Sequence, residues 1–157
     1  MNNSPPKVAI LMGSANDQPK MAPASEALAS FGVTATEHVM SAHRTPAVVA
    51  EMATTARDQG YGVLICGAGM AAHLAGAVAG HTTLPVIGVP LSGGAIGGVD
   101  ALYSTVQMPR GIPVATVAID GAANAAILAV EILAVSNAEL AQRLDRYRSE
   151  WVQAAKP

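Results

Sequence analysis

Lys7-Val-Ala-Ile-Leu-Met12 followed by Gly13-Ser-Ala-Asn-Asp17 is the stretch that decides how this chain folds. After Lys7 the run is wholly apolar, with no polar residue at every second place. That pattern fits a strand covered on both faces, as in a parallel sheet, and not a strand with one wet face. Gly13 then allows a sharp turn, and Ser14, Asn16 and Asp17 are capping types for the helix that follows. The helical sequence runs from Gln18 to Phe31 and closes at Gly32, with Pro19 and Pro23 confining its early part. A helix start of this kind is a ready anion site, although a plain N-cap explains the same residues.

The same alternation repeats outward from this unit. Val33 to Met40 reads as a second strand, and it leads into Ser41-Ala-His-Arg-Thr-Pro46. Pro46 disfavours helix at Thr45 and is suited to begin one itself. Ala47 to Asp58 reads as an amphipathic helix, with Val48, Val49, Met52 and Ala56 near helical spacing. Tyr61 to Cys66 is the third strand, and Gly67 to Gly76 a loop of nearly side-chain-free residues opening the next helix. Leu84 to Pro90 and Ile112 to Ile119 are the fourth and fifth strands, flanking a glycine-rich loop at Ser92 to Gly98 and a helix at Val99 to Met108. Helices at Ala122 to Val135 and Ala138 to Val152 follow, separated by the capping pair Ser136-Asn137. In the last helix Leu140, Leu144, Tyr147 and Trp151 form a stripe suited to packing or subunit contact. Five strands alternating with helices predict a three-layer α/β/α domain over 7–157. Its five-stranded parallel sheet would be flavodoxin-like, in order 2-1-3-4-5. Residues 1–6 read as a disordered polar stub.

In that order the first and third strands are neighbours at the point where the winding reverses, and ligands bind there. The loops carrying Ser14 and Asp17, then Ser41, His43 and Arg44, then Gly67 to His73 would converge on one edge. Imidazole can give and take a proton near neutral pH, and a guanidinium fork orients an anion. The glycine and alanine loop lets a ligand lie against backbone N–H groups. His73 reads either as a polar wall of this pocket or as a hydrogen-bonded structural histidine. Between Lys20 and Arg143 the only cations are Arg44, Arg57 and Arg110, of which Arg44 and Arg110 fall in loops and are the candidates to meet an anionic substrate.

Composition narrows the function classes. Of 157 residues 51% are hydrophobic and 13% charged, against about 25% charged in an ordinary soluble domain. So few charges predict a homo-oligomer that hides surface. A net charge of −2 leaves no electrostatic footprint for nucleic acid. The apolar segments are too short for a membrane span or a signal sequence. Cys66 is alone, which removes a disulfide framework or a Cys-based zinc site within the chain and fits a cytoplasmic location.

Four segments carry a resemblance: Val8 to Asp17, Ser41 to Pro46, Cys66 to Ala75, and Val106-Gln-Met-Pro-Arg-Gly-Ile-Pro-Val114. From about Lys7 to Tyr147 the chain closely resembles the PurE family of purine biosynthesis. The Ala71-Ala-His-Leu74 run resembles its class I branch, the N5-carboxyaminoimidazole ribonucleotide mutases. The resemblance implies transfer of a carboxylate from the exocyclic nitrogen of an aminoimidazole ribonucleotide to ring carbon C4, without metal, ATP or organic cofactor. It implies an octamer with sites at subunit contacts. Carried over by motif, His43 would be the general acid/base, and Ser14, Asp17 and Arg44 would bind the nucleotide. Ser41, Gly69, Ala71, Ala72, His73 and Leu74 would line the pocket. Three positions depart from the family pattern: Asn16 stands for a usual Ser, Met70 for a usual Gly, and Ala75 for a usual Pro. Met70 places a side chain in a loop expected to approach the ligand. A carboxylase drawing on free CO2 and a non-catalytic nucleotide-binding module are the competing readings.

Overall fold

The computed structural model describes residues 6–155, so most of the expected N-terminal stub lies outside the described residues. β1 (Lys7–Met12) leads through a single 3-10 turn (Ala15–Asp17) into α1 (Gln18–Ser30). There follow β2 (Ala35–Val39), α2 (Pro46–Thr55), β3 (Tyr61–Gly69), α3 (Leu74–Ala79) and β4 (Val86–Leu91). The chain ends with α4 (Val99–Val106), β5 (Ala115–Thr116), α5 (Ala122–Ala134) and α6 (Ala138–Ala154). The sheet is parallel throughout, in the expected order β2-β1-β3-β4-β5.

The apolar strands are buried on both faces. Val8, Ile10 and Met12 join Val63, Ile65, Ile87 and Val89 under α1, α5 and α6. Ala9 and Leu11 point the other way and pack with Leu64, Cys66 and Val86 against α2 and α3. Side chains alternate across a strand, so a single unbroken apolar run supplies two cores. Cys66 is fully buried, and burial pushes its thiol far above the ordinary value. The expected stripe on α6 divides. Leu140 and Leu144 are buried, and Tyr147 meets Phe31 edge-on at 5.3 Å, while Trp151 stays 68% exposed.

Strand lengths depart from the expectation: β2 covers only Ala35–Val39 of the expected Val33 to Met40, held at its two ends by Val8 N–H to Thr34 O (2.9 Å) and Met40 N–H to Met12 O (2.8 Å). β3 continues three residues past Cys66, with Gly67, Ala68 and Gly69 in register with Val89, Pro90 and Leu91. Glycine weakens a strand without forbidding it, and its ladder groups are intact. A side chain at Gly67 would collide with Met21, so α1 lies directly on this part of the strand. β5 shrinks from the expected eight-residue span to Ala115 and Thr116, paired with Ile87 and Gly88. Pro113 has no N–H to give to a ladder, and beyond Thr116 the chain holds β4 only by Val117 N–H to Gly88 O (3.1 Å) and Asp120 N–H to Pro90 O (2.9 Å). β4 likewise begins at Val86, after Pro85.

Candidate active site

The loops after β1, β2 and β3 meet at the C-terminal edge of the sheet, around a cavity of about 450 Å³. That volume suits a small molecule. Each loop is built by local bonds. After β1, Ser14 caps the 3-10 turn: its hydroxyl accepts from Asn16 N–H (3.2 Å), and the Asp17 carboxylate accepts from Ser14 N–H (3.0 Å). The capping reading therefore holds, and both side chains also line the cavity.

After β2, Ser41 and Thr45 lock a tight turn. Thr45 N–H and Thr45 Oγ1 both donate to Ser41 O (2.8 and 3.1 Å), Ser41 N–H reaches Thr45 Oγ1 (3.0 Å), and Ser41 Oγ accepts from Arg44 N–H (3.2 Å). Pro46 then opens α2 as its first residue. This turn holds His43 and Arg44 outward. Arg44 Nη2 donates to Gly13 O at 2.8 Å, tying the second loop to the end of β1. His43 Nε2 stands 2.7 Å from His73 Nδ1, with the ring centres 4.8 Å apart and the planes at 75°. That bond needs one nitrogen protonated and the other bare, so one ring donates to the other and each fixes the other's orientation.

After β3, Met70 takes a left-handed φ of 52° and is 61% exposed at the cavity rim. This conformation costs an L-residue with a side chain about 1–2 kcal/mol and is easy for glycine. Met70 stands where the resemblance implies a glycine, and the backbone there is of the kind that favours one. His73 precedes α3 as its N-cap residue without a side-chain cap bond, leaving its ring free to meet His43.

Ser14, Asp17, Ser41, His43, Arg44, Gly69, Ala71, His73 and Leu74 all line the one cavity. Ala72 does not: it is buried, at 1% exposure, beneath the loop. Arg110 is exposed beyond α4 and is not among the lining residues, which leaves Arg44 as the cation in the cavity wall. Gly13, Ala42, Ala68 and Met70 also line the cavity; Ala68 and Met70 belong to the Gly67 to His73 loop expected there, whereas Gly13 and Ala42 were not expected. Three of them offer mainly backbone, which leaves no chemical signature in a sequence. Thr45, whose hydroxyl braces Ser41, reads in the sequence only as the residue before a proline.

Burial raises the Asp17 carboxyl above its ordinary value, opposed but not cancelled by Ser14 N–H, Lys20 and Arg44. The folded chain therefore holds this proton to higher pH than the unfolded chain does, and stability declines as pH climbs through that interval. Asp17→Asn keeps an acceptor for Ser14 N–H and removes the half-buried charge. It is expected to melt higher than the unaltered chain at neutral pH, with the difference vanishing near pH 3. Thermal melts across pH check this, and a gain that persisted at pH 3 would contradict it.

An open parallel sheet with a histidine- and arginine-lined cavity at its switch point defines the class: a flavodoxin-like α/β protein with a cavity of small-molecule size where its first and third strands meet. The sequence profile of the AIR carboxylase family matches residues 7–154. The chain is 55% identical over 140 residues to the N5-carboxyaminoimidazole ribonucleotide mutase of Aquifex aeolicus, covering 89% of this chain and 84% of that protein. It is 52% identical over 148 residues to the enzyme of the same name from Escherichia coli K12, covering 93% and 88%. The crystal structure of Treponema denticola PurE superposes with a TM-score of 0.86 at 31% identity, covering 95% of this chain and 93% of that one. The chain belongs to the AIR carboxylase, or PurE, family.

Proposed function

We propose that this chain is an N5-carboxyaminoimidazole ribonucleotide mutase of purine biosynthesis, forming 4-carboxy-5-aminoimidazole ribonucleotide by decarboxylation and recarboxylation in one closed pocket. The observation that carries the reading is identity above 50% to proteins of that name over about nine-tenths of the chain. The cavity is consistent with it. His43, as imidazolium, gives its proton to the carbamate nitrogen; the N–C bond breaks, its electron pair stays on nitrogen, and CO2 leaves. Ring carbon C4 attacks that CO2, and neutral His43 takes the C4 proton and is ready for another turnover. Ser14, Asp17 and Arg44 hold the nucleotide, while Ser41 and the Gly69–Leu74 backbone line the CO2 side. His73 at 2.7 Å from His43 holds the ring that must act twice. Small backbone walls restrain CO2 between the two steps.

The reading extends to a homo-oligomer, taken as an octamer, in the cytoplasm, with α6 in subunit contacts. The low charge content and the exposed Trp151 and Val152 support it. Among the described residues no helix is long and apolar enough to cross a membrane.

The decisive test supplies the N5-carboxylated nucleotide with ¹³C-labelled bicarbonate in the buffer. A mutase keeps its carboxylate in the pocket, so early C4-carboxylated product is expected to be largely unlabelled, at a rate unchanged by EDTA. Early product carrying the solvent label in full proportion would replace this reading with a carboxylase drawing on free CO2.

A further inference from the structure

The glycine-rich segment between β4 and α4 is closed at its neck by Ser92 itself, Lys20 of α1 and Asp120 of the loop between β5 and α5. Lys20, in the first turn of α1, donates through Nζ to Ser92 Oγ (2.5 Å) and to Ser92 O, and its charge lies 3.7 Å from Asp120 Oδ1. Asp120, beyond β5, accepts from Ser92 N–H at Oδ1 (2.9 Å) and from the Ser92 hydroxyl at Oδ2. Burial alone would raise the Asp120 carboxyl, but the Ser92 bonds and the Lys20 charge outweigh it and hold it below the ordinary value. Asp120 does this from a left-handed backbone, φ 56°, which strains any residue with a side chain. A strained residue that accepts from both donors of one serine is a specific fastening.

The other end of the segment comes back to the same point. Gly98 has φ 95°, and a methyl added there would sit 2.9 Å from Ser92 Cα. The chain thus leaves and returns through one neck. Between its ends Gly93, Gly94, Ala95, Ile96 and Gly97 are exposed. This span leans on the cavity rim: a methyl added at Gly94 would meet Met70 Cγ at 3.5 Å, and Met70 lines the cavity. Lys20 also sits close enough to Asp17 for its charge to act on that cavity carboxylate.

We propose that Asp120 and Lys20, acting through Ser92, are positioning residues that hold the Ser92–Gly98 loop as a pre-shaped lid against Met70 at the mouth of the site. Seven residues with four glycines would otherwise sample many conformations, and the cost of ordering them would fall on substrate binding. If only a fraction of molecules holds the lid in place, apparent affinity falls by that fraction. Once substrate is bound the lid is ordered in every molecule, so the chemical step is untouched. The clamp therefore acts on KM and spares kcat.

The role in turnover rests on the mutase reading; the fastening of the loop does not. Asp120→Gly is the chosen variant, because glycine adopts φ 56° freely and the fold loses no conformational support. Ser92→Ala removes the hydroxyl link without touching the backbone. Two readouts are taken on the full chain. Thermolysin, which cuts before exposed aliphatic residues, is expected to nick Ala95–Ile96 about tenfold faster in Asp120→Gly, and faster in Ser92→Ala, than in the unaltered chain. KM for the N5-carboxylated nucleotide is expected to rise about tenfold in Asp120→Gly, with kcat nearly constant. An unchanged nicking rate would overturn the clamp, and faster nicking with unchanged KM would overturn the lid. A loss confined to kcat would do the same. If the unaltered chain fails to turn over this nucleotide, the proposed activity falls, and the nicking rates still decide the clamp.

Discussion

Replacing His43 with asparagine is expected to cut turnover by about 10²–10⁴-fold or more while leaving nucleotide binding largely intact. Asparagine has similar reach and can still hydrogen-bond to His73, so the loop between β2 and α2 keeps its shape. That shape depends on Ser41, Thr45 and Pro46 and not on the imidazole. What asparagine cannot do is exchange a proton near neutral pH, and the proposed reaction needs two such exchanges at one place. Single-turnover kinetics beside calorimetry with the C4-carboxylated product separate the effects. A variant keeping more than about a tenth of the activity would remove His43 from the role of acid and base.

The next largest effect is expected at Arg44, and it falls on binding. Arg44 spends one guanidinium N–H on Gly13 O and keeps the others free at the cavity wall, where no other lysine or arginine stands. Loss of a charge-assisted contact costs about 1.5–3 kcal/mol, or roughly ten- to a hundredfold in affinity. Arg44→Ala also cuts the tie between the first two loops, so a bare loss of affinity would be ambiguous. Comparing nucleotide with dephosphorylated nucleoside, on both proteins, isolates the phosphate. The phosphate should confer a much larger gain on the unaltered chain than on Arg44→Ala. Equal gains would show that Arg44 has another partner.

Much of the architecture is legible in the residues because it is local. The apolar run from Val8 to Met12, the capping residues after it, and Pro46 at a helix start each act over a few positions, and alternation of strands with helices then makes the sheet parallel, for which 2-1-3-4-5 is one of the common windings. The convergence of three loops follows from that order, which is why Ser14, Asp17, His43, Arg44 and His73 could be placed at one edge from sequence. Two kinds of feature escaped. Gly67 to Gly69 look like loop by composition, and only pairing with Val89 to Leu91 makes them strand. The clamp joins Lys20 to Ser92 and both to Asp120, across 72 residues in the first case. Nothing in a serine or a lysine announces a partner so far along the chain. Met70 lies between: a side chain where the resemblance implies glycine is readable, but its left-handed backbone is not.

Cys66 has a practical consequence. Its sulfur is sealed under α2 and α3, and burial leaves little thiolate to react while the fold is closed. An alkylating reagent can reach it only when the central strand is laid bare. The chain thus carries its own stopwatch for opening: the pace of alkylation at that one thiol reports how often the core comes apart, with no engineered label.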